Sequence, residues 1–151
     1  MSKISFSQYF AICSLGFFMV GNSSVMANQT LSPRTSKAPN KIVFQVTDGD
    51  TQKWNLTLVN AINVIAELGK QNVAIEIVVY GPAIDMLKLE SEVAPRVDEV
   101  ISSGVKVVAC GNTMRGLHIT AADMLPDIHY TRTGVVYLMK KQKEGYAYIR
   151  P

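Results

Sequence analysis

The sequence predicts an α/β domain of three layers, with helices on both faces of a mainly parallel five-stranded sheet. Short apolar, β-branched runs alternate with stretches whose apolar residues recur every three or four positions, the two periods of strand and helix. The stretches between the runs are too long for hairpins, so successive strands must return through helical crossovers and lie parallel. Size agrees: 151 residues, nearly half of them hydrophobic, suit one compact core and not two.

The domain is expected to occupy residues 41–151. Lys41 to Val46 (KIVFQV) reads as a buried strand, and Thr47-Asp48-Gly49-Asp50 as a turn. A helix follows, because Trp54, Leu58, Ile62, Ile65 and Leu68 share one face and Gly69 is placed to end it. Val73 to Tyr80 (VAIEIVVY) is the second strand, closed by Gly81-Pro82. Ala83 to Ser103 holds two short helices broken near Pro95, a residue suited to a first helical turn because it needs no amide proton. Val105 to Ala109 is the third strand, stopping at Cys110-Gly111. A helical stretch interrupted by Gly116 comes next, then a cap at Thr120 with Asp123 three residues on, stopped by Pro126. Asp127 to Tyr130 is a short fourth strand. Thr133 caps a last helix that ends at Gly145, and Tyr146 to Ile149 is the fifth strand.

Residues 1–27 follow a different logic. Lys3 gives a positive start, Tyr9 to Val20 is apolar, and Val25-Met26-Ala27 offers small or aliphatic residues at a cleavage site, the pattern of a secretory signal peptide. The apolar run is shorter than the roughly 20 residues that span a bilayer, so no stable membrane span is expected after cleavage, and the mature chain is expected in the periplasm. Asn28 to Asn40, rich in Ser, Thr, Pro and Lys, reads as a flexible leader. Removal of the signal takes Cys13 with it and leaves Cys110 as the one cysteine, unable to form an internal disulfide.

Charge narrows the function. The net charge of +3 is spread along the chain, and Lys140, Lys141 and Lys143 fit the solvated face of a helix, so nucleic acid is not an expected partner. Neither GxGxxG nor GxxxxGK[ST] occurs, which removes the support for nucleotide binding. His118, His129, Asp123, Asp127 and Cys110 show no recognised metal-ligand spacing, so neither metal nor cofactor is expected.

Cys110 carries the functional expectation. An open parallel sheet presents ligands and reactive groups at the carboxyl ends of its strands, and a following helix offers free amides and a positive dipole end that favour thiolate over thiol. Gly111 leaves room for a bound group, Asn112 and Thr113 can donate hydrogen bonds to it, and Arg115 adds positive charge if its side chain turns back. Asp48, with Asp50, lies on the same sheet edge and could border the site; turn formation and helix capping explain both equally well. The competing reading of Cys110 is a packed residue finishing a core strand. His118, eight residues on, could serve as a base for the sulfur, or simply sit at a helix end. The asparagines of the first helix (Asn55, Asn60, Asn63) are mediocre helix formers and point to a packing or subunit contact.

Four separated motifs, DGDTQKWNLTLVNAIN from Asp48, VVYGP after the second strand, ACGNTM from Ala109 and the terminal EGYAYIRP, together resemble the DsrE/DsrF-like family over nearly all of residues 41–151. The resemblance implies a three-layer α/β/α domain assembled as a homotrimer or hexamer. It also implies sulfur chemistry, with sulfane sulfur carried as a persulfide on Cys110 between a donor and an acceptor thiol. The alternative is a non-catalytic oligomeric scaffold or small-ligand binding module; a hydrolase or oxidoreductase using Cys110 and His118 is a third option.

Overall fold

A computed structural model of the chain describes residues 40–151; the expected signal segment with Cys13, and the expected leader up to residue 39, lie outside the described residues. Strand β1 (Asn40–Val46) leads into helix α1 (Thr51–Leu68), strand β2 (Val73–Val79), helix α2 (Ala94–Ser102) and strand β3 (Lys106–Cys110). Helix α3 (Gly111–Gly116), strand β4 (His129–Thr131), helix α4 (Gly134–Lys143) and strand β5 (Ala147–Ile149) complete the fold. The five strands form one sheet in the order β4-β3-β2-β1-β5, and every pairing is parallel. All strand ends that lead into helices therefore lie on one edge.

Side chains alternate between the faces of a strand, and the two faces are covered unequally. Phe44, Ile75, Ile77, Val79, Val107 and Ala109 pack beneath α1 and α2 through Leu58, Ala61, Val97 and Val100. On the opposite face Val43, Val78 and Val108 meet Leu138 of α4 in a much smaller cluster. Helix α1 starts where Asp50 accepts the Gln52 amide at 2.8 Å, so Asp50 is a helix cap.

Helix α4 is held by a buried polar group that the sequence reading missed. Glu76 points toward α4 from the middle of β2 and is only 6 % exposed. It accepts from the hydroxyls of Tyr137 at 2.6 Å and Tyr146 at 3.2 Å and pairs with Lys141 at 2.9 Å. The Lys141 ammonium also lies over the rings of Tyr146 and Tyr137, at 4.9 and 5.2 Å from their centroids. Lys141, expected on the solvated face, is thus turned to the sheet, while Val135 and Met139 of the same helix are exposed.

Several boundaries differ from expectation. Cys110 belongs to β3, and Tyr80 falls just beyond β2. The first of the two helices before Gly104 is a 3-10 turn (Gly81–Leu87), and Pro95 opens the second. Thr120 and Asp123 form a reciprocal capping box, but on a 3-10 turn of three residues.

Helix α3 ends in a Schellman motif: Ile119 donates to the Met114 carbonyl at 2.9 Å and His118 to that of Arg115 at 3.3 Å. The left-handed position, usually glycine, is His118 at φ 57°. His118→Gly is expected to raise the unfolding free energy by about 1 kcal/mol, since an L side chain is strained there. A urea midpoint that stays or falls would contradict this.

Candidate functional site

Cys110 ends β3, and its backbone is the N-cap of α3. Its side chain lies on the α4 face of the sheet, two positions after Val108. There the N-terminus of a second helix meets it: the Gly134 amide, first in α4, donates to Cys110 Sγ at 3.3 Å. Thr133, expected to cap α4 with its side chain, makes no such bond; its hydroxyl accepts from Asn112 Nδ2 at 3.1 Å. The sulfur takes up the free α4 amide instead.

Cys110 is 4 % exposed, and burial pushes its thiol up. The amide and hydroxyl of Thr113 and the amides of Gly134 and Asn112 more than offset this, so the thiol lies below its ordinary value. The Asn112 amide is shared, since it donates to the Arg132 carbonyl at 3.1 Å, which leaves Thr113 and Gly134 as the principal donors. Thr113 Oγ1 accepts the Gly81 amide at 3.0 Å, and this fixed bond leaves its own proton free to point at the sulfur. Buried as it is, the sulfur sits among hydrogen-bond donors.

Each predicted neighbour has a definite place. A Cβ on Gly111 would stand 3.2 Å from the Thr131 carbonyl, so glycine lets β3 and β4 close together there. Arg115 does turn back along α3 and donates to Asn112 Oδ1. It therefore orients Asn112, and the sulfur feels the amides more than the guanidinium. Asp48 lies on the same sheet edge but two strands away, paired with Lys53 at 3.2 Å and Arg150 at 3.4 Å. Its hydrogen bond with Lys53 leads the influences that hold its carboxyl below the usual range, against slight desolvation. The structure does not bring Asp48 to the sulfur. His118 is exposed at the far end of α3. Asn55 is used within the chain, where its Oδ1 accepts from Arg96 Nη1 at 2.9 Å.

Sequence reasoning missed Gly134 and Tyr80. The register Val79↔Ala109 carries on to place Tyr80 beside Cys110 on the same face. A Cβ on Gly134 would meet Tyr80 Cδ1 at 2.9 Å, so the tyrosine ring occupies the space that glycine leaves open. The signal available in the sequence was the glycine directly after the Thr133 cap, where a residue with higher helix propensity would ordinarily be favoured.

Among the described residues no group of three or more His, Cys, Asp or Glu side chains could hold a metal ion. No helix among them is long and apolar enough to cross a membrane.

No curated protein matches the chain. Among solved structures it resembles the protein of unknown function MTH1491 from Methanobacterium thermoautotrophicum, with 33 % identity and a TM-score of 0.71 over 74 % of this chain and 99 % of that one. The conserved protein of unknown function BT1422 from Bacteroides thetaiotaomicron shares the fold at 19 % identity and a TM-score of 0.63, covering 77 % and 98 % of the two chains. The ychN protein from E. coli does so at 10 % identity and a TM-score of 0.60, covering 74 % and 98 %. The model of the DsrE/DsrF-like family matches residues 40–151, the whole described fold, and the chain belongs to that family.

Proposed function

We propose that this protein is an exported sulfur carrier that holds sulfane sulfur as a persulfide on Cys110 and works in the periplasm as a homotrimer or hexamer. The observation that carries the reading is the meeting of two helix N-termini at one sulfur, sealed by the 3.3 Å bond from Gly134. Such a place favours an anion, whether thiolate or persulfide.

The chemistry is thiol exchange without net redox change. The Cys110 thiol loses its proton to solvent, and the thiolate attacks the outer sulfur of a donor such as polysulfide or thiosulfate. The donor's S–S bond breaks, and its electron pair leaves with the shorter polysulfide or with sulfite. An acceptor thiolate then attacks the outer sulfur of the Cys110 persulfide, and the bond to Cys110 breaks to restore the thiolate. Thr113 and the Gly134 amide hold its charge, with the Asn112 amide a lesser donor, and Gly111 keeps β3 and β4 close beside it.

Peptide mass spectrometry after incubation with polysulfide or thiosulfate is expected to find one added sulfur on the Cys110 peptide, and none in Cys110→Ser. No addition, or the same addition without the thiol, rejects the carrier.

The near-complete burial of Cys110 favours a second reading, a non-catalytic oligomeric scaffold or small-ligand module with a packed cysteine. Under that reading a small methanethiosulfonate reagent modifies Cys110 only after unfolding. Under the first it does so in the native protein.

A further inference from the structure

We propose that Tyr80 is the specificity-determining wall of the Cys110 site, its ring admitting small linear sulfur species to the thiolate and excluding bulky ones. The inference rests on Cys110 being the reacting thiol and goes beyond it by naming what controls its access.

Four groups enclose the sulfur. Helix α4 covers it through Gly134, and the start of α3 lies ahead of it in the chain. Thr131 of β4 is its register partner on one side, and Tyr80 stands beside it on the other. Three of these are backbone-held: α4 is anchored through Glu76, α3 follows directly from β3, and Thr131 is fixed by strand pairing. In Tyr80 the wall is a side chain: the amide is fixed to the Val46 carbonyl at 3.2 Å, while the ring lies outside the ladder and the residue is only partly buried. Rotation of its side chain opens the site without disturbing a strand or helix.

What lies on the other side of the ring supports this placement. The strand order puts β1 and β5 beyond β2, and there Tyr148 donates to Gln45 Oε1 at 2.6 Å and Arg150 to Thr47 Oγ1 at 3.3 Å. Tyr148 and Arg150 are exposed. The Tyr80 phenol responds to burial first, and then to the charges of Tyr148, Arg150 and Cys110, as expected of a group standing between the sulfur and that polar surface. The ring also packs on Gly134, the residue whose amide holds the sulfur. A ring placed there obstructs a wide reagent more than a narrow one.

The test compares the rates at which methyl methanethiosulfonate and a bulky N-aryl maleimide modify Cys110, resolved by peptide mass spectrometry in the native full chain. In Tyr80→Ala the maleimide rate is expected to rise roughly tenfold or more, and the methanethiosulfonate rate by less than about threefold. Tyr80→Phe is expected to keep the wild-type ratio, because the ring and not the hydroxyl forms the wall. An unchanged ratio in Tyr80→Ala, or a Tyr80→Phe variant that behaves like Tyr80→Ala, overturns the proposal. So does Cys110 that neither reagent reaches in Tyr80→Ala. Should that variant fail to fold by circular dichroism, Tyr80→Leu, which keeps apolar bulk without the ring, is read in the same way. The assay needs no sulfur donor, so altered selectivity without persulfide formation rejects the carrier and leaves the wall standing.

Discussion

Lys141→Ala is expected to lower the unfolding free energy by about 3 kcal/mol, the cost of leaving a carboxylate buried without its countercharge. Glu76 cannot reach water where it stands: its side chain is 8 % exposed and that of Lys141 only 15 %. The figure is placed at the low end of such effects because the Tyr137 and Tyr146 hydroxyls still donate to the carboxylate. Removing both charges should cost less than removing one. Glu76→Gln combined with Lys141→Met keeps an acceptor for the tyrosines and is expected to recover more than half of the loss. Urea denaturation of the two single variants and the double decides the matter; a double variant no better than Lys141→Ala contradicts the assignment.

The same cluster fixes a pH dependence. Burial, and then the hydrogen bond to Glu76, raise the Tyr137 phenol well above its ordinary value. Desolvation lowers Lys141, but its hydrogen bonds to Glu76 and Glu144 outweigh this and leave the ammonium raised too. Both groups hold their protons more tightly folded than unfolded, so their contribution is complete below about pH 10 and falls away as pH rises through the folded values. Removing the phenol in Tyr137→Phe is therefore expected to make the fall of stability at alkaline pH less steep than in the parent. Lys141→Met should flatten the alkaline limb.

Thr113→Val carries the largest expected effect on the thiol. It removes the hydroxyl that faces the sulfur and frees the Gly81 amide, leaving burial to act against fewer donors. The pH midpoint of Cys110 modification by methyl methanethiosulfonate is expected to move up toward the ordinary thiol range. A shift of one unit slows modification at neutral pH roughly tenfold. In the parent, the folded state gives up this proton more readily than the unfolded chain. Its stabilising contribution is thus present above the ordinary thiol value near 9.0 and is lost as pH falls through the lowered folded value. Cys110→Ser should remove that rise in stability. An unchanged modification profile in Thr113→Val would show that the backbone amides alone set the acidity.

The periodicity of apolar residues made the architecture legible. Runs such as VAIEIVVY and KIVFQV, short, β-branched and bounded by turn residues, read as central parallel strands, and their order along the chain predicts the layers. Glu76 within VAIEIVV was legible as a residue but not as an anchor, because its partners Tyr137, Lys141 and Tyr146 lie more than sixty positions away and no local pattern joins them. Cys110 could be placed at a strand end from sequence, along with Gly111, Asn112 and Thr113, since all four are contiguous. The second helix terminus at the sulfur, and the tyrosine beside it, arise from register and sheet order. A one-dimensional reading does not carry those. Asp48 shows the opposite error: sharing a sheet edge says nothing of distance when a strand stands between.

The unequal covering of the sheet has a consequence for timing. One face is closed early in the chain by α1 and α2, whereas the sulfur's face depends on α4, almost the last segment to be made. Until that helix settles onto Glu76, Cys110 lacks the Gly134 amide and its sulfur is uncovered on that face. The same late step therefore covers the sulfur and supplies the Gly134 amide that favours its anion.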